Sequence, residues 1–538
     1  MPSDCISFKE TGFFSNLICD YLEKKESLDS LYHRFPSLEN LKEQLLEKQV
    51  SFTNESRAQL VKSLENQYAN IVTSEKTEQH IEQLKDSKTF TITTGHQLNL
   101  FTGPLYFLYK IISTINLTEE LKSTYPNYNF VPVYWMATED HDFLEINYFS
   151  LKGKKIAWNK AEGLENKNGA VGEFNTEGLK EVFSVLEKTL GAGKNADFLK
   201  DLFKKGYLEH DNLTDATRYI VNELFGSYGL VIVDGNDQGL KSLFIPVAQQ
   251  ELSEQISFKN VSETSEKLKS LGHKIQVTPR EINLFYLNKG VRERIVKNDN
   301  GSYSVLNTEI TWKSFDVVKK ELHENPERFS PNVILRPVFQ EVILPNLCYI
   351  GGGGELAYWF QLKDNFKALN IPFPILLLRN SALLISAKQQ GKLKALAVNN
   401  EELFMKQFEL INFKVRQISD IVIDFSEQRK VLEKQFENLK EIAKKTDVTF
   451  VNAVNAQETK QLKGLNTLEK RLLKAQRIKL SDQVDRLTEI HEQLFPQQNL
   501  QERKSNFSEF YLEYGTNLIP SLKEALKPLV GEFNVVQL

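Results

Sequence analysis

Cysteine is scarce in this chain. Three thiols, Cys5, Cys19 and Cys348, are scattered over 538 residues, too few and too far apart for a disulfide framework or a zinc site. Long apolar runs are missing as well. No stretch approaches the ~18 apolar residues of a membrane-spanning helix, and the opening "MPSDCISFKETGFFSNL" lacks the uninterrupted apolar core of a secretory signal. Nor is there an excess of positive charge: 67 Lys and Arg against 71 Asp and Glu give a net charge of -4. That argues against a broad nucleic-acid-binding surface and still permits a local basic pocket. Neither nucleic acid nor membrane is expected as a partner, and cytoplasm is the simplest address. With 41% hydrophobic residues, the chain can bury a sizeable core across about three or four domain-sized units.

Glycine and proline nearly vanish between about Gln389 and Phe495, apart from Gly391 and Gly464. There Phe425, Leu432 and Leu439 recur at seven with Phe436 between them, and Leu480, Val484, Leu487 and Leu494 follow spacings of four, three and seven. Glu441 and Lys445 can pair one turn apart. Two long helices joined around "KKTDVTFVNAVN" are expected to form an antiparallel coiled coil; an ordinary helical bundle is the alternative. Such a narrow stripe needs a partner surface, which dimerisation provides. Pro496 ends the second helix, and a tail to Leu538 carries one more amphipathic segment.

Upstream of about residue 385 the texture is that of an α/β fold. "KTFTITTG" (Lys88–Gly95), "NFVPVYWMATED" (Asn129–Asp140), "YGLVIVDGND" (Tyr228–Asp237), "NVILRPVF" (Asn332–Phe339) and "FPILLLRNS" (Phe373–Ser381) read as strands. Nearly continuous Val, Ile and Leu suits strands covered on both faces of a parallel sheet with crossover helices. Residues from about 151 to 228, opening on the loop-like "KGKKIAWNKAEGLENKNGA", read as a helix-rich insertion. Val277–Trp312 reads as a smaller strand-bearing one. Trp158 and Trp312 are expected to anchor minor cores there, and Cys348 to pack in the main core. The expected divisions are 1–385, 386–500 and 501–538.

Three polar constellations fall at strand ends. In "TITTGHQLNLFTGPLYFLYK" a strand passes through Thr94 and Gly95 into a crossover ending at Gly103 and Pro104, with Pro104 at the first helical position. Leu105, Leu108, Ile112 and Ile115 then recur at helical spacing. A strand's carboxyl end beside a helix N-terminus is where open α/β sheets bind ligands and where anions are favoured. His96 and Gln97 can donate to a phosphate or carboxylate there; a satisfied loop histidine is the bland alternative. In "WMATEDHDFLEIN" a strand runs into Glu139, Asp140, His141 and Asp142. Three carboxylates around an imidazole suit an ammonium, a cation or a hydroxyl-rich substrate. His141 is a candidate general base, Asp140–His141–Asp142 a candidate metal set, and an exposed polar turn the plain reading. In "ILRPVFQEVILPNLCYIGGGGELAYWFQLK", Arg336 precedes a proline and leans extended, Gln340 and Glu341 follow, and Gly351, Gly352, Gly353 and Gly354 lead to Glu355 and Tyr358. Glycine N–H groups in such a run can cradle an anion. No Lys-Ser/Thr follows, so this is not a P-loop. Arg379 brings a cation to the same sheet edge.

Taken together, "TGHQLNLFTGPLY", "VPVYWMATEDHDFLEIN" and "RPVFQEVILPNLCYIGGGGELAYW" resemble the bacillithiol-biosynthesis cysteine-adding enzyme family over essentially the whole chain. The resemblance implies a Rossmann-like core like that of class I nucleotidyltransferases, with connecting insertions and a dimerising coiled coil. It implies a ligase that adds L-cysteine to glucosaminyl-malate to give bacillithiol. "TTGH" (Thr93–His96) lies where nucleotidyltransferases carry His-x-Gly-His, with Thr93 in place of the first histidine, and no Lys-Met-Ser-Lys-Ser-like loop is found. Amide formation in water is uphill, so ATP is the expected co-substrate. In that frame His96 and Gln97 orient phosphates beside Thr94, Gly95 and Gly103, and Gly351–Gly354 with Glu355 admit the nucleotide. Asp140 or Asp142 holds an ammonium or sugar hydroxyls, and His141 deprotonates the attacking amine. Arg336 or Arg379 pairs with malate carboxylates, with Glu139, Gln340, Glu341 and Tyr358 lining the substrate. No metal is required. The alternatives are a metal-dependent hydrolase or amidase and a non-catalytic nucleotide-binding scaffold.

Overall fold

A computed structural model describes residues 3–159 and 169–538. The chain separates into two units, one built from residues up to Leu384 together with Gln501–Leu538, the other from Ile385–Leu500. The tail expected as a third piece thus belongs to the sheet-bearing unit. Its last strand, Phe533–Gln537, runs antiparallel to Ser3–Ile6 and joins Ala382–Ile385 in a three-stranded sheet.

The core sheet has five parallel strands: β1 (Thr89–His96), β2 (Asn129–Met136), β3 (Val231–Asp234), β4 (Asn346–Gly351) and β5 (Ile375–Leu378), in the order β5-β4-β1-β2-β3. Growth of the sheet therefore reverses between β1 and β4, which opens a crevice at their carboxyl ends. Every residue of β1 is buried. Phe90 and Ile92 pack with Leu117 and Leu121 of the crossover helix α1 (Tyr106–Thr124) and with Cys348 and Ile350 of β4.

One expected strand is a helix. Asn332–Phe339 enters α2 (Leu335–Ile343) instead of the sheet, and the fourth strand lies downstream at Asn346–Gly351. Pro337 stands in the first turn, where a missing N–H costs no hydrogen bond. The Asn332 side chain accepts from the N–H groups of Ile334 and Leu335. Leu335, Val338, Phe339 and Ile343, all buried, follow helical spacing. The preference of Arg336 for an extended backbone is overridden by this cap and by burial. Likewise α1 starts at Tyr106, two residues beyond Pro104.

Between β2 and β3 come a hairpin (Tyr148–Leu151 with Lys154–Ala157) and three helices, Leu179–Leu190, Lys194–Leu208 and Leu213–Phe225. Part of the loop-like opening of this insertion, 160–168, lies outside the described residues. The second insertion is a five-stranded antiparallel sheet from Leu284 to Pro331. Trp158 and Trp312 are both buried. Among the described residues no helix is long and apolar enough to cross a membrane.

In the second unit, α4 (Gln407–Ile418), α5 (Ser426–Ala443), α6 (Val448–Lys479) and α7 (Ser481–Leu494) form the helical region. Helices α5 and α6 run antiparallel: Ala443 and Phe436 pack on Val454, Lys440 pairs with Glu458, and Arg429 reaches Asn466. The expected second helix is two, broken at Leu480, so Leu480, Val484, Leu487 and Leu494 lie at the break and in α7, which packs on α4. The α5–α6 seam also departs from the heptad reading. Leu439 is half exposed and Ala443 takes the inner position. Because α5 stops at Ala443, Glu441 pairs with Lys444 at 2.6 Å and not with Lys445.

Beneath the β1–β4 pair lies a buried polar network. Lys48 Nζ is 3.2 Å from Glu341 Oε2, and Glu341 Oε1 accepts from Asn346 Nδ2 at 2.6 Å. Asn346 Oδ1 in turn accepts from Thr93 Oγ1 at 2.8 Å. Removing one charge of such a pair strands the other in the interior. Lys48→Met should therefore lower unfolding stability by about 3–5 kcal/mol, and adding Glu341→Gln to it should recover part of the loss. Urea titrations of the two variants check this; a double variant no more stable than Lys48→Met would contradict it.

Candidate active site

The tip of β1 is tightly enclosed. A Cβ at Gly95 would stand 3.2 Å from Tyr349 Oη and 3.9 Å from Arg336 Nη1, so glycine lets β4 and α2 press against the strand end. On the opposite side His96 packs against α1, its ring 5.0 Å from that of Phe107 and 5.5 Å from that of Tyr106. The His96 Nδ1 atom is 2.8 Å from the Gln97 carbonyl. A carbonyl only accepts, so Nδ1 carries the proton and Nε2 keeps its lone pair. Burial, reinforced by the Lys110 cation, lowers the imidazole pKa to about 3. At neutral pH it is an uncharged acceptor.

Glu355 joins the two sides. It lies in α3 (Gly353–Trp359), which follows β4 through the glycine run. Its Oε1 accepts from Tyr349 Oη at 2.7 Å; its Oε2 accepts from Gly352 N at 2.7 Å and meets Lys110 Nζ at 2.6 Å. Burial alone would raise this carboxyl, but Lys110 and the Gly352 N–H hold it below the ordinary value. Lys110 also donates to the Gly95 carbonyl at 2.5 Å.

The two candidate arginines differ. Arg379 is spent on the fold: Nη2 bonds Glu502 at 2.7 Å, Nη1 bonds the Asn380 carbonyl and Ser381, and the guanidinium lies over Tyr106. Only its Nε lacks a partner among the described residues. Arg336 donates to Tyr358 Oη and Gln340 Oε1, both at 3.1 Å, between the rings of Trp135 and Tyr349. Among the described residues no carboxylate forms an ion pair with it. Burial would lower its pKa, but Tyr358, Tyr349 and Glu355 outweigh that and raise it. Arg336 is thus a fixed cation held by neutral side-chain partners.

The acidic motif reaches this centre through Gln97, whose Nε2 donates to Asp140 Oδ2 at 2.7 Å and to Glu145 Oε2 at 3.0 Å. Burial works to raise the Asp140 carboxyl; hydrogen bonds from His141 and Gln97 and the nearby Arg292 charge prevail and hold it well below the usual range. His141 Nδ1 accepts from Arg292 Nη1 at 2.8 Å, so its remaining ring nitrogen carries the proton when neutral. Glu139 turns inward to Lys241 at 2.5 Å. Asp142 caps the short helix Phe143–Ile146 through the Glu145 N–H. Asp140 and His141 stay together, His141 Nδ1 lying 3.6 Å from Asp140 Oδ1, while Asp142 turns to the helix cap, and among the described residues no group of three His, Cys, Asp or Glu is placed to hold a metal.

Other motif residues serve the scaffold. Thr94 Oγ1 bonds the Ile350 carbonyl, and the Gly103 carbonyl accepts from Asn506. Gly351 is closed in by Leu356 and Tyr349, whereas nothing stands within 4 Å of a Cβ at Gly354. Gly352 faces Glu355 and Arg379 Nε, and Gly353 abuts Ile18. Gln340 and Glu341 belong to the network below the sheet. Sequence reasoning missed Lys110, Arg292, Tyr349 and Glu502. Lys110 left a signal: it interrupts a helix whose residues Phe107–Ser113 are otherwise uncharged and buried, and a cation there requires a partner.

The neutral His96 has a consequence for stability. The unfolded chain takes up a proton near pH 6.5 that the folded chain refuses until about pH 3, so this contribution is present above about pH 6.5 and lost as pH falls. Relative to His96→Gln, the wild type should lose up to ~1.4 kcal/mol per pH unit between about pH 6 and 4. Urea midpoints at several pH values test this, because His33, His80 and His491, also lowered by burial, are common to both proteins. Parallel curves would remove His96 as a buried neutral group.

Comparison with known proteins agrees in extent. Residues 1–380 match a family model described as the bacillithiol biosynthesis BshC N-terminal Rossmann-like domain, and residues 382–538 match the BshC C-terminal coiled-coil domain. A protein of Christiangramia forsetii named "Putative cysteine ligase BshC" is 57% identical over 100% of this chain and 99% of its own length. Proteins of the same name from Flavobacterium johnsoniae and Cytophaga hutchinsonii are 56% identical over 100% of both chains and 37% identical over 98% and 97%. With both halves of the chain matched in order, the protein belongs to the bacillithiol-biosynthesis BshC family.

Proposed function

We propose that this chain is an amide-forming ligase that joins the carboxyl group of L-cysteine to the amine of glucosaminyl-malate, with ATP as the activating co-substrate. The observation that carries this reading is the placing of Arg336, without a carboxylate ion pair among the described residues, and of the neutral His96 on the two sides of Glu355 at the strand tips. The names of the relatives support the substrate class.

Activation forms a bond from a cysteine carboxylate oxygen to phosphorus, giving an acyl-adenylate with loss of pyrophosphate or an acyl-phosphate with loss of ADP. The sugar amine then attacks the carbonyl carbon, the C–N bond forms, and AMP or phosphate leaves with the C–O electron pair. His96 Nε2, kept uncharged, accepts a hydrogen bond from the attacking amine and orients it, while the amine proton passes to the departing phosphoryl oxygen or to water. His141 is less suited to that task, since its Nδ1 lone pair is taken by Arg292. Arg336 pairs with a phosphate or a malate carboxylate in the forked manner of a guanidinium. The open space at Gly354 admits the nucleotide, and Asp140, kept ionised, holds an ammonium or sugar hydroxyls with Gln97 as its partner.

The helical unit is proposed to pair with a second copy. Val431, Ile442, Val448, Leu468 and Ile478 of α5 and α6 are each more than half exposed, an apolar excess that a homodimer would cover. The reading implies a cytoplasmic enzyme.

Purified protein should consume ATP in a cysteine-dependent manner, and form the cysteinyl amide only when glucosaminyl-malate is present. No nucleotide turnover with any donor would end the ligase reading; nucleotide binding without product would favour a scaffold, and activity that tracks a stoichiometric metal would favour a hydrolase. His96→Ala should lower turnover by about 10²-fold, because the group that orients the amine is lost. Arg336→Lys should raise KM for the acidic substrate by roughly tenfold or more, because the fork is lost while the charge stays. Sedimentation of an Ile442→Glu variant should give a monomer where the wild type gives a dimer.

A further inference from the structure

Lys110 is a buried cation that neither the motifs nor the proposed reaction uses. Its Nζ donates to the Gly95 carbonyl at 2.5 Å, the carbonyl of the peptide unit that leads into His96. The same ammonium meets Glu355 Oε2 at 2.6 Å, and that oxygen also receives the Gly352 N–H at 2.7 Å. One turn earlier on α1, Tyr106 and Phe107 supply the rings against which the imidazole rests. A single helix therefore sets the backbone before His96, the surface behind its ring and, through Glu355, the shape of the glycine turn across the crevice.

We infer that Lys110 is a positioning residue for the proposed ligation: it ties the end of β1 to the glycine turn and keeps the His96 lone pair at Nε2 turned to the substrate as an acceptor.

A comparison within the molecule separates this from plain structural pairing. The Lys48–Glu341 pair is enclosed on all sides, with Lys48 2% and Glu341 0% exposed. In the Lys110–Glu355 pair the lysine is 4% exposed and the carboxylate 26%. Only the second opens onto the strand tips. The groups facing His96 also favour an uncharged ring. Lys110 from α1 and Arg379 from the end of β5 are cations; Glu355 from α3 is a carboxylate that acts on the ring in the opposite sense. Tyr106 beside the ring and Tyr134 Oη near the His96 carbonyl are neutral, burial having raised both hydroxyls. Deleting the Lys110 charge leaves the ring with a weaker barrier to protonation, whereas deleting the Glu355 charge strengthens it.

The test is a histidine NMR titration of the full-length protein, with the His96 signal assigned by its loss in His96→Gln. In the wild type the signal should hold its neutral position down to about pH 5. Lys110→Met should bring an inflection into the range above about pH 5, and the acid limb of kcat/KM should move up by the same amount while KM for cysteine changes little. Glu355→Gln, which keeps the ammonium, should show no inflection in that range. This second variant keeps the inference falsifiable where Lys110→Met does not fold, because an inflection in Glu355→Gln has the wrong sign and overturns it. An unchanged His96 titration in folded Lys110→Met overturns it too. The inference rests on the ligase reading, but the two fail separately: absent turnover with the expected titration ends the ligase reading alone, and normal turnover with an unmoved titration ends the role of Lys110 alone.

Discussion

The parallel pairing of β1 with β4 is the constraint on which the rest of the molecule turns. Once Thr91–Thr94 lie beside Asn346–Ile350, the order of the sheet must reverse there, and the two carboxyl ends open side by side. The pairing is held from below by polar groups, unusual for a sheet interior, with Asn346 reading the hydroxyls of Thr91 and Thr93 and passing the demand to Glu341 and Lys48. Above, the same two strands deliver Gly95, His96, Tyr349 and the glycine turn. Thr93 thus contributes to strand pairing and not to the crevice.

Charge is distributed in two ways around the tips. Lys110, Glu355, Arg379 and Glu502 neutralise each other in short bonds to side chain or backbone. Arg336 does not, being held by a phenol and an amide. A buried guanidinium bonded only to neutral partners retains most of its attraction for an anion, which sets Arg336 apart from the paired charges around it. Asp140 is the counterpart on the β2 side, an ionised carboxylate bonded to an amide and a backbone N–H.

Much of this architecture is legible in the sequence. The near-continuous apolar runs of β1, β2, β3 and β5 are what two-sided burial demands, and the heptads of α5 with the proline-free stretch to Phe495 mark the helical region. The motifs at Gly95–Gln97, Glu139–Asp142 and Gly351–Glu355 fall at strand ends because the patterns of those elements place them there. Where sequence and structure part, a tertiary effect outweighs a local one. Arg336 leans extended because of its proline, but Asn332 caps a helix there and four apolar residues share its buried face. Glu139, Gln340 and Glu341 look like site carboxylates and amides in a linear motif; their partners Lys241, Lys48 and Asn346 include residues distant in sequence, so their inward turn carries no local mark. Arg292 and Glu502 are invisible for the same reason.

The way the C-terminal tail closes the sheet-bearing unit has a consequence for how the protein is made. Arg379 is paired with Glu502, the backbone of Leu384 is bonded in both directions to Gln501, and the loop after His96 is clasped by Ser505 and Asn506. The strand Ser3–Ile6 likewise waits for Phe533–Gln537. During synthesis the sheet body therefore stands with an open flank, its arginine charge unanswered, while the entire helical excursion is still being translated. Closure of this flank waits for residues 501–537, and until they are made Ser3–Ile6 is an unpaired edge strand.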